Sequence, residues 1–227
     1  MIFRQIETAA GQVTICFTGT DRDLVADSFT QVYRNIRQKL DNRSALVWAE
    51  QVHGNSVLVC EEPVETISCL GEGDAIIARS AGIAPLVRTA DCIPILVYAE
   101  NSPLVAAVHA GWRGLQKQVF SQALFTVLGN GTKIADLRFV VGPFIRENSY
   151  EVGAEVAGQF AAGFSSPTAD GKFLLNLKGI LQSEMDGHGI LPQQVTWFDA
   201  DTLSSPEWFS ARRGEQGRNM ALVFYSA

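Results

Sequence analysis

The sequence predicts a mixed-sheet α/β or α+β fold. Three observations carry this reading. Four short runs rich in Val, Ile, Leu and Ala, at 74–79, 83–88, 93–99 and 103–109, follow one another at hairpin-length spacing and read as buried strands. Stretches of helical apolar spacing, above all 22–40 and 114–128, are intermixed with them rather than gathered in a separate half of the chain. Of the 227 residues, 47% are hydrophobic, enough for a sizeable core in one large domain or two tightly merged halves. No internal repeat, low-complexity tract or linker divides the chain, so we expect a single domain over 1–227.

The elements follow in order. Residues 12–18 (QVTICFT) alternate as a strand does, with Cys16 in an apolar stretch that reads as core. Residues 22–40 space Leu24, Val25, Phe29, Val32, Ile36 and Leu40 as a helix would. Residues 45–60 read as two strands, ALVWAEQV and SVLVC, broken at His53-Gly54. After the four buried strands, 114–128 is an amphipathic helix closed by Gly129-Asn130-Gly131. Residues 137–142 form another buried strand, 153–163 and 176–187 read as helices, and 195–199 and 219–225 as late strands. His188, in DGHGI, reads as surface structure capping the 176–187 helix.

Composition removes several function classes. Net charge is −6 and no Lys/Arg run appears, which argues against a nucleic-acid binder while leaving room for a nucleotide-sized ligand. No run approaches the roughly 20 apolar residues of a membrane span. The first residues, MIFRQIETAAGQ, do not resemble a signal peptide, so a cytoplasmic location is expected. Four cysteines (Cys16, Cys60, Cys69, Cys92) without CxxC spacing suggest reduced thiols rather than a disulfide scaffold.

The chemistry concentrates in three residues. His109 ends the apolar run of VAAVHAGWRG, Cys92 ends TADC, and His53 sits in QVHGNSV. His and Cys are zinc ligands, and three protein ligands with one place left for water make a catalytic rather than a structural site. The strands at 93–99 and 103–109 form a hairpin. A two-residue loop at Asn101-Ser102 pairs Pro94 with His109 and makes Cys92 the diagonal neighbour of His109. A loop one residue earlier puts Cys92 directly opposite His109. Both registers place thiol and imidazole on one face, whereas His53 must arrive from a separate strand end. Asp74 and Asp91 lie beside these positions and are candidates for orienting a histidine or transferring a proton. Arg113, before the 114–128 helix, and Arg212, Arg213 and Arg218, in a Gly-containing loop, are candidates for binding an anion.

In the order QVHG, DAIIA, TADCIPIL, VAAVHAGWRGL, GPFI…YEVG and FSARR…GR, the chain from about Val47 to Tyr225 resembles the laccase-domain or YfiH-like proteins, once called polyphenol oxidases. The resemblance implies a layered α/β sandwich of mixed β-sheets flanked by helices, with zinc held by His53, Cys92 and His109. It implies phosphorolysis of adenosine, inosine and related nucleosides, methylthioadenosine among them, to base and ribose 1-phosphate, and in some members deamination of adenosine. The expected partners are thus a purine nucleoside and phosphate, with no nucleic acid or membrane, in a monomer or homodimer. The chain departs from the family pattern in three places. Asp201-Thr202 stands where a Cys-Thr pair is usual, Ala211 replaces a Tyr, and the N-terminal region lacks a Gly-Ser-rich loop associated with the nucleoside site.

On this reading the metal lowers the pKa of water to about 7. Asp74 or Asp91 would move the proton, and Arg113 or the Arg212–Arg218 loop would hold phosphate. A copper oxidase is disfavoured, because three histidines cannot fill a mononuclear and a trinuclear copper site. A metal-free cysteine enzyme using Cys92 and His109, and a non-catalytic zinc- or nucleoside-binding protein, are the remaining alternatives.

Overall fold

The structure, a computed structural model, describes residues 1–20, 34–38, 44–62 and 66–226. Within them the chain forms mixed sheets flanked by a few helices, as the α/β expectation requires. The first sheet runs in the order β1 (Ile2–Thr8), β2 (Gly11–Thr18), β15 (Asn219–Tyr225), β7 (Ile83–Thr89), β3 (Ala45–Glu50) and β5 (Ile67–Glu72). The second is β14 (Val195–Trp197), β10 (Leu137–Val141), β8 (Ile93–Ala99), β9 (Val105–Ala110), β6 (Ala75–Ala78) and β4 (Val57–Cys60). A small third sheet pairs β13 (Phe173–Leu175) with β11 (Glu151–Val152) and β12 (Ser165–Pro167).

Strand alternation builds the layers. Val13, Ile15 and Phe17 of β2 and Ala221, Val223 and Tyr225 of β15 face Ile76, Leu96 and Ala107 across the space between the two large sheets. The opposite faces of those second-sheet strands, through Ala75, Ile77, Ile95 and Val108, pack on the helices Val119–Leu128 and Leu177–Gly187. Cys16, Leu222 and Phe224 turn outward and pack with Ile36. Residues 34–38 are helical, as 22–40 predicted; the rest of that stretch lies outside the described residues.

Three expectations differ from the structure. The 114–128 helix is two pieces, Trp112–Gln116 and Val119–Leu128, because Gln118 adopts a left-handed φ of 58°. The 153–163 helix is a single turn, Ala154–Ala157, followed by a 3₁₀ turn at Ala162–Phe164, since Gly158 and Gly163 offer little to propagate it. Five strands are absent from the sequence reading: β1 and β5 are exposed over half or more of their length and alternate weakly, and β11, β12 and β13 are only two or three residues long. Among the described residues, no helix is long and apolar enough to cross a membrane.

Three connections cross from the first sheet to the second, β3 to β4, β5 to β6 and β7 to β8, and the first and last of them carry His53 and Cys92. β3 and β7 are parallel neighbours, so they end at the same end of the sandwich. β9 is antiparallel to β8, and its last residues lie where β8 begins. The three chain segments carrying His53, Cys92 and His109 therefore meet at one end of the layered core.

Candidate metal centre

The hairpin adopts the Asn101-Ser102 register, with Pro94 opposite His109, Leu96 opposite Ala107 and Ile93 opposite Ala110. Cys92 is then the diagonal neighbour of His109. Opposite Cys92 stands Gly111, and a Cβ there would lie 2.7 Å from the Cys92 Sγ and 3.4 Å from His53 Cδ2. Glycine at 111 is thus what lets the thiol and the His53 ring approach the backbone. The ligand atoms of His53, Cys92 and His109 all lie within 4.8 Å of one another, and the three residues could hold a metal ion. The two imidazoles meet edge to face, with ring centroids 4.9 Å apart.

Asp74 organises both histidines. Its carboxylate accepts hydrogen bonds from the amides of Val52 (3.3 Å), His53 (3.0 Å) and Gly54 (2.6 Å). His53 holds a left-handed φ of 56°, which turns these successive N–H groups toward one anion. The same carboxylate lies 2.8 Å from His109 Nδ1, and the Asp74 carbonyl accepts from the His109 amide at 2.7 Å. With Nδ1 engaged, Nε2 of His109 is the nitrogen left for a ligand bond. Burial alone would raise the Asp74 pKa, but the His109 contact and the Gly54 amide outweigh it and hold the carboxyl below its usual range.

Burial would likewise raise the Cys92 thiol. The His109 charge and hydrogen bonds from both imidazoles reverse this and bring it down to about 6. His109 moves the other way: burial would lower it, and Cys92 and Asp74 together push it up. Cys92 is therefore poised as a thiolate, the form that binds metal. Exposure grades outward: Asp74 and His109 are buried, Cys92 half-buried and His53 exposed, so the site opens to solvent on the His53 side.

A cavity of about 330 Å³ stands over the three residues, lined also by Gln51, Arg88, Ala90, Ala211 and Arg218. Of the expected anion-binding arginines, only Arg218 is among these. The Arg113 guanidinium lies over the Trp112 ring, 4.3 Å from its centre. Arg212 donates to the Glu151 carbonyl and covers the Tyr150 ring. Arg213 pairs with Glu215 and donates to the carbonyls of Thr202, Leu203, Ser205 and Trp208, which ties its loop together. Asp91 braces that loop: at φ 85° its carboxylate accepts from the Thr202 hydroxyl (2.6 Å) and the Arg212 amide (2.7 Å). Asp201 accepts from the Arg146 and Leu203 amides and the Ser149 hydroxyl, a loop-holding role within the segment that flanks the site.

Gln51, Arg88, Ala90 and Ala211 were not singled out from the sequence. The signal for two of them was present: Arg88, Ala90 and Cys92 are two residues apart and all line the cavity. His188 lies at the cap of the helix Leu177–Gly187, as expected, with Nε2 2.6 Å from the Ser121 hydroxyl.

The family described as multi-copper polyphenol oxidoreductase laccase matches residues 16–226. A purine nucleoside phosphorylase of Mycobacterium tuberculosis (strain ATCC 25618 / H37Rv) is 31% identical over 183 residues, covering 79% of this chain and 72% of that protein. The purine nucleoside phosphorylase YfiH of Shigella flexneri is 34% identical over 182 residues, 77% of this chain and 71% of its own length. Among solved structures, Neisseria meningitidis protein NMB0706 superposes with a TM-score of 0.79 at 25% identity, covering 99% of both chains. Bacillus licheniformis YfiH gives 0.81 at 20% identity, again over 99% of each.

Proposed function

The chain belongs to the family described as multi-copper polyphenol oxidoreductase laccase, and from that premise we propose that it is a zinc-dependent purine nucleoside phosphorylase acting on adenosine and inosine. The observation that carries this reading is the convergence of His53, Cys92 and His109 within 4.8 Å beneath an open cavity, in a chain about 30% identical to proteins named purine nucleoside phosphorylase.

Two imidazoles and a thiolate fit zinc and leave a fourth position open. The same donors hold copper in electron-transfer sites, where a weak axial methionine completes the set; among the described residues no methionine lines this cavity. The third histidine, His188, is engaged with Ser121 and supplies no second copper site. When bound, zinc supplies a Lewis acid at the cavity floor. The chain's own residues do the rest. Asp74 fixes the His109 tautomer and the His53 turn, and its carboxylate is occupied by four donors, which suits a positioning residue rather than a proton shuttle. Asp91 holds the Arg212 segment beside the cavity and leaves proton transfer to other groups.

In the reaction a phosphate oxygen forms a bond to the ribose C1′. The bond from C1′ to the purine nitrogen breaks, its electron pair goes to the base, and the proton of the phosphate monoanion or dianion ends on that base. The test is purified, zinc-loaded protein with inosine or adenosine, with and without phosphate. Base release that requires phosphate is expected. No base release with zinc bound would overturn the reading, and inosine formed from adenosine would add the deaminase activity.

Cys92, His109 and Asp74 also make a thiolate, imidazole and carboxylate series suited to covalent catalysis. The second imidazole, His53, favours the metal reading, because a cysteine nucleophile needs no such partner. Alkylation of Cys92 by iodoacetamide that zinc does not block would favour the cysteine reading instead.

A further inference from the structure

Three ligands from three chain segments hold one metal only when all three spacings between them are set. Two spacings follow from bonds already in place. The hairpin register sets Cys92 against His109, and the Asp74 carboxylate joins the His53 turn to the His109 ring. The third spacing, from His53 to Cys92, lies between the crossings that leave β3 and β7.

β3 and β7 pair in parallel only where Ala45–Val47 meets Ile83–Pro85. Further along, the pairing of β3 with β5 shifts by one residue between Trp48 and Glu50. Such a shift raises the local twist, and the backbone of 48–50 no longer pairs with β7. The Gln51 side chain bridges the gap. Its Nε2 donates to the Arg88 carbonyl at 2.7 Å, and its Oε1 accepts from the Arg88 amide at 2.8 Å. A carboxamide offers a donor and an acceptor in one plane, as a peptide group does. It therefore takes the place of the missing ladder partner at Arg88. Gln51 stands two residues before His53, and Arg88 four before Cys92. The clasp thus joins the two arms just before each delivers its ligand to the cavity.

We propose that Gln51 is a positioning residue: through the Arg88 backbone it locks the His53 arm to the Cys92 arm and so sets the third spacing of the metal trio. The inference rests on the metal part of the proposed function and not on the reaction. The clasp is specific to glutamine. Asparagine is one methylene too short to keep both bonds, and methionine fills a similar volume without a donor or a strong acceptor.

The experiment uses the full chain with Gln51→Met and Gln51→Asn, alone and combined with His53→Ala. Zinc affinity is measured by competition with a chromogenic chelator, and cobalt(II) is the spectroscopic probe of ligand geometry. In Gln51→Met zinc affinity should fall about tenfold or more, while the metal-free melting temperature drops by only about 2–4 °C. The visible cobalt bands should shift or weaken in the same variant, and Gln51→Asn should follow Gln51→Met rather than the wild type. On the His53→Ala background the Met substitution should change the remaining zinc affinity by less than about twofold, because the arm it holds no longer carries a ligand. An unchanged zinc affinity or cobalt spectrum in Gln51→Met would overturn the proposal. So would an equal loss on both backgrounds, which would mark a general effect on the fold. Hydrogen exchange of the metal-free chain is the second arm. Gln51→Met should speed exchange at 51–54 and 88–92 together; faster exchange at only one of them, or at neither, would also overturn the proposal. If wild-type protein binds neither zinc nor cobalt, the metal reading falls and the coupled exchange decides the clasp by itself. If it binds zinc but releases no base from a nucleoside, the phosphorylase reading falls and the clasp stands.

Discussion

At the scale of single residues, Asp74 governs how the site is held. One carboxylate takes three backbone amides and one imidazole, so replacing it by Asn keeps the shape but exchanges an acceptor for a donor among groups that all donate. Asp74→Asn should weaken zinc binding by about 10- to 100-fold, measured by competition with a chromogenic chelator. An unchanged affinity would mean the histidines are set by packing alone. Because the folded Asp74 pKa lies below the ordinary carboxylate value, its contribution to stability is complete above that value and is lost as pH falls through the folded one. Metal-free protein should therefore lose stability below about pH 4, and the Asn variant should lose less over that range in acid titrations followed by circular dichroism. At this scale the sequence was partly legible. Cys92 and His109 could be paired by counting along a hairpin, because register is local arithmetic. His53 and Arg88 depend on strands far apart in sequence: residue type marks His53 as a candidate ligand, but no local register brings it to the other two.

At the scale of elements, the hairpin and the late strands could be read because alternation of apolar residues is strong there. The 114–128 helix was read as continuous, since its apolar spacing carries through Gln118 without any Gly or Pro to mark the break. The break is a backbone event: Gln118 stands at φ 58°, where an L-residue is strained, and its amide turns back to the Leu115 carbonyl at 2.9 Å. This offset directs the helix Val119–Leu128 along the second sheet while Trp112–Gln116 follows the site. Gln118→Gly should stabilise the protein by about 1 kcal/mol, read from chemical denaturation. A destabilisation would show that the Gln118 side chain contributes more than the backbone strain removes. Gly111 carries the opposite constraint. With its added Cβ 2.7 Å from the Cys92 sulfur, Gly111→Ala must move the thiol, and zinc affinity should fall while the fold persists.

At the scale of the whole molecule, the site is a product of topology. The sequence did not yield strand order, because nothing local says that β3 to β4 and β7 to β8 each change sheets, or that both changes occur at one end. That arrangement makes a bound metal a tie between three otherwise separate connections: the turn at His53, the crossing at Cys92 and the end of β9. A ligand that binds only the folded chain stabilises it by about 2.7 kcal/mol at one hundred times its Kd. For a domain of this size that corresponds to about 5–10 °C in the melting temperature. Removing zinc with a chelator should lower the melting temperature by this amount, and the shift should vanish in His53→Ala, which leaves β8, β9 and their core contacts untouched. Hydrogen exchange should rise on chelation in 51–56 and 89–92 together, because the tie joins them. Faster exchange in only one of the two segments would show that the trio does not act as a single centre, and the metal reading of this end of the sandwich would fail with it.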